Sequence, residues 1–253
     1  MPHIERVVKA GKVMEIEKYH CSRYDCKGEK RRKKENITIE AQHKVNIRQA
    51  TRTLRWKLNE NFVDGDLWVE LDYRKELRPN SSTEMQEHMK EFLKLLRKEY
   101  ALQGLKLKYV YCKELGPKGA AHIHMVMNNC KDVTTILRRC WKKGGVHIDP
   151  LYTDGDYSHI AEYMHKYADK TVETEGKLIG KRHYSSKGLR QPKIIKRIVK
   201  SVNTYYEHAK ERKGYYVIKD SVVSGVTEAG YGYFSYWLHK TEDYGEETEG
   251  EDG

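Results

Sequence analysis

Residues 113–128 read K-E-L-G-P-K-G-A-A-H-I-H-M-V-M-N. The alternation of His122 and His124 about Ile123 predicts a strand that turns both imidazoles to one face. Ile123, Met125 and Met127 then point the other way, into a core. Gly116, Pro117 and Gly119 supply a turn just before it. Residues 106–114 alternate as well, with Leu105, Leu107, Tyr109 and Tyr111 on one side. A hairpin that pairs Glu114 with His122 sets the carboxylate beside both imidazoles at about 5 Å, within reach of one divalent cation. A one-residue slip would turn Glu114 away. Two imidazoles and a carboxylate suit Mn²⁺, Mg²⁺, Zn²⁺ or Fe²⁺, although His-x-His alone is equally a stretch of polar strand surface.

The second chemical stretch is residues 157–170, Y-S-H-I-A-E-Y-M-H-K-Y-A-D-K. At about 100° per residue, Ile160, Ala161, Met164 and Ala168 share the arc of a helix that faces a core. Tyr163, Lys166, Tyr167 and Lys170 fall on an adjoining arc, with His159 inside it. Two phenols and two ammonium groups therefore project together. A phenol, with an ordinary pKa of about 10, is a poor nucleophile at pH 7 and needs help. A divalent ion on Glu114, His122 and His124 would polarise a phosphodiester, and a lysine one turn away would stabilise the charge that forms. Attack by the phenol leaves a covalent phosphotyrosine and a free hydroxyl on the other DNA end.

The His-Ile-His strand, followed about forty residues later by Y-M-H-K-Y-A-D-K, resembles the HUH endonucleases, in particular the rolling-circle replication initiators (Rep proteins). Their motifs are a His-hydrophobic-His strand and a downstream Y-x-x-K helix. The doubled form, Tyr163-x-x-Lys166-Tyr167-x-x-Lys170, looks like the two-tyrosine initiators of small single-stranded DNA phages and plasmids. Glu114 matches the family's third metal ligand, and residues 68–73 lie where its first strand motif would. The resemblance covers roughly residues 40–200. It implies a nickase and strand transferase, assisted by Mg or Mn, that cuts single-stranded origin DNA. The products would be a 5′-phosphotyrosine link and a free 3′-OH, and the strands would later be rejoined. Tyrosines downstream of the His pair fit Reps and single-strand transposases better than relaxases. Cyclic-phosphodiester enzymes with paired H-x-T/S motifs are disfavoured, because His124 is neither Thr nor Ser. No G-x-x-x-x-G-K-[ST] occurs in the sequence, so unwinding would fall to a host helicase alongside a host polymerase. Tyr163, nearer the middle of the lysine arc, is the expected first nucleophile. Tyr167 is either a second one or a residue packed at the core boundary. A single-strand transposase and a non-catalytic DNA-binding repressor are the alternatives.

The remaining elements must position these groups. Ile47, Ala50, Leu54 and Leu58 recur at helical spacing within residues 39–59, and residues 66–73 alternate as a strand. Residues 80–83 offer N-caps for a helix carrying Met85, Met89, Phe92, Leu93 and Leu96. Asp132 is expected to cap a short helix through Trp141 that buries Val133, Ile136, Leu137 and Cys140. Gly144 and Gly145 end it, and residues 146–148 form a short strand. Helices interleaved with antiparallel strands predict an α+β fold, a central antiparallel sheet carrying the His-x-His strand and flanked by helices.

Composition sets the outer bounds. Of 253 residues, 38% are hydrophobic, and no run approaches a membrane span or a signal peptide. Five cysteines without regular spacing argue for a reducing compartment, and the resemblance to phage and plasmid initiators implies that it is a bacterial host cytoplasm. His20, Cys21 and Cys26 lack a partner pair and read as unliganded. The net charge is +11, but residues 241–253 hold seven acids and no base, which leaves +18 on residues 1–240. So basic a body, with 19 tyrosines, favours nucleic acid. Residues 1–38, with the basic run 27–34, read as an extension, 39–240 as one nickase domain, and 241–253 as an acidic disordered tail. Residues 181–200 read as a loop and helix touching DNA backbone through Lys187, Arg190, Lys193, Lys196 and Arg197. Residues 215–218 and 231–238 are aromatic strand candidates that close the sheet or stack bases.

Overall fold

The alternating run around His122 forms the expected hairpin, seen in a computed structural model that describes residues 3–21, 39–115, 121–175, 181–199, 208–227 and 230–241. In chain order the elements are β1 (His3–Ala10), β2 (Val13–His20), α1 (Ile39–Asn61), β3 (Leu67–Asp72), a 3₁₀ turn (Lys75–Leu77) and α2 (Ser82–Leu102). There follow β4 (Tyr109–Leu115), β5 (Ala121–Met127), α3 (Val133–Cys140), β6 (Val146–Pro150), α4 (Ser158–Glu175), β7 (Tyr184–Ser185), β8 (Lys193–Val199), β9 (Tyr215–Val226) and β10 (Gly232–Lys240). The fold is α+β, with two five-stranded antiparallel sheets among the described residues. None of the described helices is long and apolar enough to cross a membrane.

The chain divides into two compact units, residues 39–190 and a second built from residues 1–38 with 191–253. The first holds the sheet β6-β3-β5-β4-β7, with the His-x-His strand at its centre. One face carries Val69, Leu71, Ile123, Met125, Tyr109 and Tyr111, which pack with the apolar stripe of α2 and with α3. Met85, Met89, Phe92, Leu93 and Leu96 are all buried there, as their helical spacing requires. The N-cap of α2 is Ser81, whose Oγ accepts the Glu84 N–H at 3.2 Å. Asp132 does not cap α3 through its side chain. It sits in the left-handed region at φ 56°, a conformation that aspartate tolerates.

The opposite face packs Val110, Cys112 and Val126 beneath α1 and α4, through Leu54, Leu58, Ala161 and Met164. Two hydrogen bonds fix where α4 begins. The Asn59 side chain accepts the Tyr157 N–H at 2.9 Å, and the Tyr157 hydroxyl donates to Asp64 at 3.2 Å. Farther along, Thr51 Oγ1 and His165 Nδ1 meet at 3.0 Å across the same helix pair.

The second unit departs from the sequence reading. Residues 3–20, expected within an extension, are two strands of the sheet β8-β1-β2-β10-β9. Residues 193–199, expected as a helix, are β8, antiparallel to β1. Ile194, Ile195, Ile198 and Val199 explain the difference, because β-branched side chains fit a pleated strand better than a helix. The aromatic runs become β9 and β10 of this sheet and do not close the one carrying the histidines. His20 stacks on Tyr231 at 3.8 Å, and Cys21, Cys112, Cys130 and Cys140 are unbridged. Residues 27–34, the turn 116–120, Cys26 and the acidic tail after Thr241 lie outside the described residues.

Candidate metal and phosphoryl-transfer site

The register places three acids and three imidazoles together. Glu114 pairs with His122, as the alternation requires, and His122 pairs on its other side with Asp72 of β3. One step along, Glu70 lies between His124 of β5 and His147 of β6. Because residues opposite one another share a face, this set projects toward the α1 and α4 side of the sheet.

The side chains form an alternating chain of carboxylates and imidazoles. Glu114 Oε2 lies 3.1 Å from His124 Nε2, and Glu70 lies 3.8 Å from His124 Nδ1 and 3.5 Å from His122 Nδ1. Asp72 then lies 2.7 Å from His122 Nδ1 through Oδ1 and 3.0 Å from His147 Nε2 through Oδ2. A carboxylate only accepts, so His124 donates Nε2–H to Glu114, while its Nδ1 lies on the side of Glu70. The two rings of the motif lie 6.3 Å apart and inclined by 24°.

Burial separates this chain into two parts. His124 and Glu114 are buried, with side-chain exposures of 2% and 10%, whereas His122, Glu70 and Asp72 are 35%, 32% and 28% exposed. Solvent therefore reaches the second group. Glu70, Asp72 and His122 each offer a ligand atom within 4.8 Å of the others, a potential metal-binding triad. Two carboxylate oxygens and one imidazole nitrogen fit a divalent cation of hard or borderline character. Of the expected ligand set, His122 belongs to this triad. Glu114 and His124 are hydrogen-bonded to each other beside it. Cys112, level with His124, offers no ready thiolate, because burial and then the Glu114 charge push its thiol well up.

Glu70 and Asp72 lay within a strand that the sequence made visible, yet they were not read as ligands. Their convergence on His122 depends on β3 pairing with β5, and β3 is separated from β5 by α2 and β4. The available signal was their spacing, since both fall on one face of an alternating strand. Trp68, on that same face, was missed as well. Its ring stacks on His124 at 5.6 Å and 20°.

Tyr163 closes the group. Ala161 and Met164 seat α4 in the core, and Tyr163 between them turns outward. Its ring lies 5.9 Å from His124, inclined by 80°, and 5.7 Å from Trp68, inclined by 65°. Lys166 is exposed three residues farther along α4. The helix includes positions 167 and 170, but the side chains of Tyr167 and Lys170 lie outside the described residues.

The five basic residues expected at DNA do not form one element. Lys187 and Arg190 follow β7 in the unit of residues 39–190, whereas Lys193, Lys196 and Arg197 lie on β8 in the other unit. Along β8, alternation puts Lys193 and Arg197 on one face and Lys196 on the opposite one. Arg190 donates to the Glu60 carbonyl at 3.0 Å, and Arg197 donates to Glu5 at 2.8 Å.

No curated protein and no solved structure matches this chain. Residues 66–172, from just before β3 into the last turns of α4, match the family model described as Replication-associated protein ORF2/G2P, which is consistent with a rolling-circle, Rep-like protein.

Proposed function

We propose that this protein initiates replication by nicking single-stranded origin DNA. The observation that carries the reading is the nearness of the Tyr163 ring to His124, on the same face of the sheet as Glu70, Asp72 and His122. The Tyr163 hydroxyl oxygen attacks the scissile phosphorus and the bond to the 3′ oxygen breaks. The phenolic proton leaves to solvent, and the departing oxygen takes one up to become the free 3′-OH. A 5′-phosphotyrosine link remains. Glu70, Asp72 and His122 would hold Mg²⁺ or Mn²⁺, which would supply Lewis-acid neutralisation of the phosphate charge. Glu114 orients His124 through the hydrogen bond at Nε2, the relation common between carboxylates and imidazoles beside a metal. Trp68 and His124 hold the Tyr163 ring by edge-to-face contacts. Lys166 and Lys170 offset the negative charge that develops on the phenolic oxygen and the transferred phosphate.

Tyr167 serves as the second nucleophile, so the protein can cut again and rejoin the displaced strand. Lys187, Arg190, Lys193, Lys196 and Arg197 add sequence-independent backbone affinity. A host helicase and polymerase supply unwinding and synthesis in the bacterial cytoplasm.

The test is incubation of the full chain with single-stranded origin DNA and Mn²⁺, followed by denaturing electrophoresis. A protein–DNA adduct that requires the metal and disappears in Tyr163→Phe is expected. An adduct that survives in both Tyr163→Phe and Tyr167→Phe, or binding without cleavage under every metal tried, would refute the mechanism. The second result would leave a DNA-binding repressor. Dependence on a hairpin end in place of an origin would identify a transposase.

A further inference from the structure

The unit of residues 39–190 contains a cleft of about 340 Å³ at the β7 edge of the sheet. It does not belong to the triad. In the sheet order, β7 lies two strands from β5, about 10 Å at the usual strand spacing. Tyr109 and Tyr111 line it from the α2 face, opposite the face that carries His122.

Every formally charged side chain that lines it is cationic. Lys57 enters from α1, Lys90 and Arg97 from α2, and Lys181 from the segment before β7, and no acidic side chain lines the cleft. Lys90 has a carboxylate partner in Glu87, at 2.6 Å. For Lys57, Arg97 and Lys181 no carboxylate partner occurs among the described residues. The Lys57 ammonium instead meets neutral groups, His183 Nε2 and Ser185 Oγ, both at 3.4 Å. Arg97 donates to the Tyr109 hydroxyl at 2.9 Å. Burial, and then the Lys181 charge, lower the Lys57 pKa. His183 is pushed down to about 3 by burial and then by Lys57, so its ring is neutral and can accept from the ammonium. Three cations around one cavity repel one another unless an anion joins them.

The walls beneath them are tied to one another. Tyr111 and Tyr184 stack at 5.1 Å and 13°, and Gln86 donates to the Tyr111 hydroxyl at 2.7 Å. A preformed pocket with convergent donors recognises its ligand at small ordering cost.

We propose that this cleft holds backbone phosphates of single-stranded DNA, contacted by Lys57, Arg97 and Lys181, at a point remote from the phosphate that is cut. The inference rests on the DNA partner of the proposed reaction but not on its chemistry. A strand anchored there would pass the β7 edge of the sheet, on the side away from β3 and β6.

The test is fluorescence anisotropy of a labelled oligothymidylate titrated with the full chain in EDTA, at several NaCl concentrations. Single strands lose about 0.7 of salt slope per phosphate contact. The pair Lys57→Gln and Arg97→Gln should therefore lower the slope by about 1.4 and weaken binding about tenfold or more. Lys181→Gln alone, at an exposed position that folding does not need, should lower the slope by about 0.7. Unchanged slope and affinity in Lys181→Gln and in the folded double variant would overturn the site. Loss of thymidine 5′-monophosphate binding with oligonucleotide affinity and slope intact would overturn the DNA assignment in favour of a free nucleotide. Tyr163→Phe should retain the wild-type slope. A failure of the nicking reaction is therefore read separately from a failure of this cleft.

Discussion

Gly144 permits a backbone contact on which the position of Asp72 depends. A Cβ added at Gly144 would lie 2.0 Å from the Asp72 carbonyl oxygen, 2.7 Å from its carbon and 2.9 Å from the Arg74 nitrogen. All three are backbone atoms, so no rotamer change relieves the clash. Ordinary contact begins near 3.4 Å, and one segment must retreat by more than an ångström. That retreat strains three hydrogen bonds: Asp72 N–H to the Gly145 carbonyl at 3.0 Å, Arg74 N–H to the Lys143 carbonyl at 2.9 Å, and Trp141 Nε1–H to the Asp72 carbonyl at 2.9 Å. At about 1 kcal/mol each, with about 1–3 kcal/mol for overpacking, Gly144→Ala should destabilise the unit by about 4–6 kcal/mol. Gly145→Ala is the matched control. Its Cβ would meet the Asp72 carboxylate at 3.4 Å and His147 Nε2 at 3.8 Å, both ordinary contacts, so a change within about 0.5 kcal/mol is expected. Urea unfolding followed by tryptophan fluorescence distinguishes the two. Mn²⁺ affinity, measured by calorimetry, should fall in Gly144→Ala because the Asp72 carboxylate moves with its backbone. Equal urea midpoints for the two variants would refute the steric reasoning.

Two other perturbations test the scaffold. His183 has a folded pKa of about 3 against an ordinary 6.5. The unfolded chain therefore takes up its proton first as pH falls, and the stability contribution, complete above pH 6.5, is lost progressively toward pH 3. His183→Asn should reduce the pH dependence of unfolding free energy in that window by up to about 1.4 kcal/mol per pH unit, and parallel wild-type and variant curves would contradict this. Ser81→Ala removes the acceptor for the Glu84 N–H and should cost about 1 kcal/mol, read as a lower thermal midpoint.

Local pattern made part of this site readable. The Glu114–His122 register was legible because alternation on both strands and a Gly-Pro turn leave few pairings that keep Ile123 and Met125 inside. The apolar seam of α4, and hence an outward Tyr163, was legible from helical spacing. Glu70 and Asp72 were not recognised as potential ligands, because their convergence on His122 depends on strand order, which neighbouring residues do not encode. β1 was missed for a different reason. Ile4, Val7, Val8 and Ala10 are buried with Glu5, so its burial lacks the period of two that marks a one-sided strand. In β8 the density of lysine and arginine drew attention from the isoleucines that determine its conformation.

The partners of β1 and β2, strands β8 and β10, lie about 200 residues farther along the chain. Residues 39–190, by contrast, form a contiguous unit between them. During synthesis the unit bearing the triad can gather its core as soon as Arg190 has emerged from the ribosome. The N-terminal hairpin must wait with open edges until the last strands arrive, because long-range pairing carries a larger closure cost and forms later. The interval before β10 emerges is therefore when this protein is most exposed to edge-to-edge association, and a chaperone that shields strand edges would act on the hairpin at that stage.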